Sequence, residues 1–199
     1  MLLALALIVG LGAGVATSYL QDVLSGPSNS LANSGAVWSF VAFLVALASR
    51  QQGARAAAIG VLALLGEVAG YYAIAAPLRD IPSSTNERLL WAAAAIVVGP
   101  VVGLAAGWWT GGRMMGRLAA SSVMCGIVLG EGLHGLIRIE FSGIQWWVEV
   151  VLGAALGSIA ATYYGKSTFW RVIGMIGTLL VAGAVYAVYG ERVNDFVFG

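Results

Sequence analysis

The chain has 199 residues, of which 60% are hydrophobic and only 10% charged, with a net charge of +1. Its mean hydropathy is +0.90. An ordinary soluble domain carries about 25% charged residues, so that class is excluded, and the near-zero net charge gives no footing for nucleic-acid binding. A single cysteine, Cys125, excludes a disulfide framework and a cysteine-based zinc site.

Taken in order, the apolar runs and their polar dividers predict seven helices, at 1–20, 34–49, 54–78, 88–110, 114–138, 145–164 and 168–190. Each approaches the roughly 20 residues that cross a bilayer. The first run, MLLALALIVGLGAGVATS, lacks the basic flank of a secretory signal, so it reads as a retained span. Asn33 and Ser34 are suitable N-caps for the second span. Gly111–Gly112 and Gly165–Lys166 suit short turns between antiparallel helices, and Pro100 predicts a kink in the fourth span. The expected fold is all-α: a polytopic transmembrane bundle of about seven spans, a first helix followed by three helical hairpins, forming one integral membrane domain over residues 1–199.

Charge sorts cleanly between alternate loops. Arg50, Arg55, Arg113, Arg117, Lys166 and Arg171 occupy one set, with no acidic residue. The opposite set holds Asp22, Arg79, Asp80, Glu87, Arg88, Arg138, Glu140, Glu191, Arg192 and Asp195. The positive-inside rule then sets the chain in a cell membrane, such as a bacterial inner membrane, with its N-terminus cytoplasmic and its C-terminus extracytoplasmic. The seven tryptophans fall near the ends of the expected spans, as interfacial belts do.

The remaining acids, Glu67, Glu131 and Glu149, lie inside apolar spans, where an unpaired charge costs several kcal/mol. Glu67 falls near mid-depth on a face of small residues, which predicts a neighbouring helix against it. Glu131, His134 and Arg138 share one helix face and form a polar stripe toward the membrane surface. Glu149 follows Trp146 and Trp147 near the start of its helix. Leu-Gly-Glu recurs at 65–67 and 129–131, a weak sign of the internal repeats common in transporters. With one histidine in the chain, a bundle di-iron site is excluded. A single metal held by Glu67, Glu131, His134 and Glu149 is a minor alternative, and neither a metal nor a cofactor is expected. There is no phosphate-binding loop and no nucleophile with a spaced base, so an intramembrane enzyme ranks last.

The segments LANSGAVWSFVAFLVALASR, LGEGLHGL and QWWVEVVLGAALG resemble those of an uncharacterised family of actinobacterial membrane proteins of roughly 200 residues, a domain of unknown function. The resemblance implies a multi-span bacterial membrane protein and transfers no residue roles. A looser similarity, through the small-residue first helix with Gly10 and Gly14, is to the substrate-binding subunits of energy-coupling-factor vitamin transporters. The expected function is binding or transport of a small cationic solute, or of protons, at an outward-facing site. Glu67, Glu131, His134, Glu149 and Arg138 would form that site, walled by Tyr71, Trp146 and Trp147. The alternative is a non-catalytic scaffold or partner subunit in the lipid bilayer, whose buried acids fix helix packing.

Overall fold

The computed structural model describes residues 1–24, 29–32, 34–79, 84–139 and 143–189. The elements are α1 (Leu2–Val23), a single turn α2 (Asn29–Ala32), α3 (Gly35–Ser49), α4 (Gly53–Arg79), α5 (Thr85–Thr110), α6 (Met114–Arg138), α7 (Ile144–Tyr164) and α8 (Thr168–Val188). The seven expected helices are therefore all present, and no strand occurs among the described residues. Six of them are long and apolar enough to cross a membrane. The exception is α3, whose 15 residues span about 22 Å at 1.5 Å per residue, against about 30 Å of bilayer hydrocarbon.

Helix boundaries follow local chemistry. The Ser84 hydroxyl accepts from the Glu87 amide at 3.0 Å and starts α5. That helix runs unbroken through Pro100 to Thr110, and Gly112, at φ +71°, makes the turn into α6. Arg50 takes the left-handed conformation at the end of α3, and Gly53, also at positive φ, opens α4. The asparagine expected to help start α3, Asn33, lies outside the described residues, as do Asp80, Glu140, Glu191, Arg192 and Asp195.

Close packing of glycine and alanine holds the bundle together, as expected where lipid removes the hydrophobic drive between helices. α1 and α4 make the most extensive contact and run parallel. Gly10 lies on Ala63, Gly14 on Glu67 and Tyr71, and Gly66 and Gly70 lie on Leu7 to Leu11. Gly60, Gly99 and Gly103 bring α4 against the antiparallel α5, while Gly126 and Gly130 seat α8 beside a parallel α6. α7 buries a narrow seam at Glu149, Gly153, Gly157 and Ala161. Its remaining faces, and those of α8, expose Val151, Leu156, Ile159, Leu179 and Leu180, a surface suited to lipid. The two largest groupings, α1–α3–α4–α5 and α6–α7–α8, meet through α5 on α6 and α3 on α6. The hairpins α3–α4, α5–α6 and α7–α8 all turn at the end carrying Arg50, Arg55, Arg113, Arg117, Lys166 and Arg171, called the basic end below.

Candidate functional site

At the opposite end the first turn of α3 is built into the bundle. A helix N-terminus leaves N–H groups without intrahelical acceptors, and here those of Gly35, Ala36 and Val37 each have a partner. The Ser34 hydroxyl accepts from the Val37 amide at 3.1 Å. The Glu131 carboxylate accepts the rest: the Gly35 amide on Oε1 at 3.0 Å, and the Ala36 amide and Ser34 hydroxyl on Oε2. Trp38 returns to the Ser34 carbonyl at 3.1 Å as an ordinary helical bond. Both oxygens of Glu131 are thus engaged with α3, and the helix dipole favours an anion at this place. Glu131 lies seven residues before the end of α6 at Arg138, about 10 Å along the axis. The start of the short helix α3 therefore lies about that far below the end of α6.

Around this joint the expected site residues divide. Glu149 is buried beside Glu131: its Cβ lies 2.9 Å from where a Cβ on Gly132 would stand, and the two carboxylates interact electrostatically. Its Oε2 has no hydrogen-bond partner among the described residues. Tyr189, just beyond α8, interacts with both acids. Burial first, then these carboxylates, pushes the Tyr189 phenol well above its usual range, so it stays neutral. A side chain at position 35 would collide with its hydroxyl. His134 packs on Tyr189 and Tyr186 with ring centroids 5.3 and 6.0 Å away, and its buried Nδ1 has no hydrogen-bond partner among the described residues. Arg138, exposed, donates from Nε to the Tyr186 hydroxyl at 3.2 Å.

Trp146 is buried with its indole against Gly135. Its neighbour Trp147, expected to wall the site, is 60% exposed on α7. Glu67 is the most enclosed of the three candidate glutamates, at 1% exposure, and its Oε1 finds no hydrogen bond among the described residues. It belongs to the α1–α4 contact, away from the Glu131–Glu149 pair. Among the described residues, no three acidic, histidine or cysteine side chains group as a metal site would need.

Tyr71, one turn beyond Glu67, opens onto something the sequence did not disclose. With Gly35, Trp38, Tyr72, Glu87 and Trp91 it lines a small cavity of about 30 Å³ at the non-basic end. Trp38 and Tyr71 have centroids 5.8 Å apart, and Tyr71 and Tyr72 meet edge to face at 5.1 Å. The Tyr71 hydroxyl donates to Gln21 Oε1 at 2.9 Å, and the Tyr72 hydroxyl to Glu87 Oε1 at 2.8 Å. Trp91 also reaches Tyr189, at 6.4 Å, linking the cavity wall to the acidic pair. Gly35 is common to both sides, held by Glu131 and lining the cavity. From the sequence, Trp38 and Trp91 read as belt residues and Glu87 as a loop acid. The only local sign was the Tyr71–Tyr72 pair following Leu-Gly-Glu.

Long helices with lipid-suited outer faces around a glycine and alanine core define a multi-span α-helical membrane protein. The chain belongs to the Family of unknown function (DUF6518), whose model matches residues 1–193. No curated protein and no solved structure matches it, so the likeness to vitamin-transporter subunits gains no support there.

Proposed function

We propose that this protein binds, and in the cell membrane transports, a small solute through a site at the non-basic end, facing outward, with the N-terminus cytoplasmic. The observation that carries this reading is the cavity beside Gly35, whose wall includes the first turn of a helix that starts below the end of α6. Sunken helix ends of this kind build solute sites in transporters, where broken helices end inside the membrane. The reading relocates the site. Tyr71 remains a candidate ligand residue, joined by Trp38, Tyr72, Glu87 and Trp91. Glu131 becomes the residue that positions α3, and Glu149, His134 and Arg138 stand behind it. Glu67 and Trp146 serve packing.

The scaffold reading keeps one specific support: every oxygen of Glu131 is already used within the protein, as a packing acid would be. Thermal unfolding of the purified protein against a panel of small cationic, neutral and anionic solutes separates the two. Solute binding predicts at least one stabilising compound, with the shift reduced by Tyr71→Leu and retained by Glu149→Gln. A panel without any effect, together with a lower melting temperature for Glu131→Gln, favours the scaffold.

A further inference from the structure

Four of the six residues lining the cavity are aromatic, one is glycine, and the last is the carboxylate Glu87. Trp38, Tyr71 and Tyr72 are buried and Trp91 half-buried, so their rings form desolvated walls. Aromatic faces carry negative quadrupole charge and attract cations, each by about 0.5–2 kcal/mol according to desolvation. A carboxylate beside them adds net negative charge, and the Tyr72 hydroxyl steadies Glu87 at 2.8 Å. One of these rings already attracts a positive group, since the Arg88 guanidinium stands over Tyr72 at 5.6 Å. An anion would meet the Glu87 carboxylate with the wrong sign. At about 30 Å³ the cavity encloses a primary ammonium, whereas a trimethylammonium, as bulky as the benzene that fills a cavity of about 150 Å³, has to stand partly outside it.

We propose that the cavity formed by Trp38, Tyr71, Tyr72, Glu87 and Trp91 is a receptor for the ammonium head of a small organic cation. This rests on the solute-binding reading above and names the chemical class for that site. The rings supply shape and cation–π attraction, and Glu87 supplies the counter-charge. Gly35 has no side chain to intrude, and the Glu131 bonds fix its position in the wall. The same head group occurs on free solutes and on zwitterionic lipids, so the test must separate those sources.

The probes are ethanolamine and choline, with 3,3-dimethylbutan-1-ol as the uncharged isostere of choline, measured by calorimetry on protein in phosphatidylglycerol nanodiscs. The expected result is binding of one or both cations and at least about tenfold weaker binding of the neutral alcohol, from loss of the charge-dependent attraction. Glu87→Gln keeps the side-chain shape and the acceptor for Tyr72, and should weaken the cation about tenfold or more while leaving the ligand-free melting temperature near wild type. Trp91→Leu should weaken both probes. If the alcohol binds as tightly as choline, or Glu87→Gln binds choline normally, the cation assignment fails while solute binding stands. If no probe binds and the wider solute panel is also silent, both fail. Nanodiscs containing phosphatidylethanolamine or phosphatidylcholine then decide the source: a lipid occupant blocks free choline, and a free-solute site does not.

Discussion

Glu131 shows how a carboxylate becomes tolerable inside a membrane protein. Its two oxygens receive two backbone amides and a hydroxyl, all from the first turn of α3. Removing the acceptors strands three donors, two of them buried and one partly buried, and a buried donor left unpaired costs about 1–3 kcal/mol. Glu131→Ala should therefore lower stability by about 3 kcal/mol or more, with non-additivity keeping the total below the simple sum. Glu131→Gln, which keeps one carbonyl acceptor but turns an amide NH2 toward donors, should fall between. Thermal unfolding gives the size, and hydrogen exchange gives the place: the amides of Gly35 and Ala36 should exchange faster in the variant. An Ala variant that melts with wild type and keeps those amides protected would rule the clasp out. Ser34→Ala, losing one cap to Val37, should cost about 1 kcal/mol. The acid was visible in the sequence as an energetic anomaly, but its partner was not. The bonds join residues 95 to 97 positions apart, and two of the three donors are backbone amides, which any residue at 35 or 36 would offer. Likewise, nothing in the types of Trp38 and Trp91 separates an interfacial belt residue from a cavity wall; only the neighbours across helices do.

At the scale of elements, glycine position decides which helices meet. Gly14 on α1 lies so close to α4 that a Cβ there would meet the Glu67 carbonyl and stand 2.8 Å from the Tyr71 amide nitrogen. Gly12, two residues away on the same helix, has nothing within 4 Å. The two positions form a matched pair. Gly14→Ala must push α1 and α4 apart and should destabilise by about 1–3 kcal/mol, as overpacking does. Gly12→Ala should be neutral or stabilising by up to about 1 kcal/mol, through helix propensity alone. Melting of both variants in one detergent reads the difference, and equal behaviour would mean that the α1–α4 contact is wrongly placed. Helix existence and most boundaries were legible because apolar length and turn residues are local properties. The small-xxx-small spacings at Gly10/Gly14, Gly66/Gly70, Gly99/Gly103 and Gly126/Gly130 stand in the sequence as well, but their pairing does not. Spacing marks a surface that can be approached closely and leaves open which helix approaches it.

For the whole molecule, the short helix α3 controls the sidedness of everything after it. If α3 did not cross, α1 and α4 would run antiparallel. Their register is parallel, with Gly10 on Ala63 and Gly14 on Glu67, so α3 counts as a crossing despite its length. With that parity, the three turns carrying Arg50, Arg55, Arg113, Arg117, Lys166 and Arg171 share one side. Basic residues in short loops are retained on the cytoplasmic side during insertion, which predicts that the cavity near Glu87 and Trp91 faces outward. Labelling tests this directly. In a Cys125→Ser background, a cysteine at the exposed position Asn86 should react with a membrane-impermeant maleimide in intact cells. A cysteine at Ser167, exposed beside Lys166, should react only after the membrane is opened. The reverse pattern would invert the protein and turn the cavity toward the cytoplasm. Labelling of both sites in intact cells would mean that α3 and its neighbours do not alternate, and the parallel α1–α4 register would fall with it.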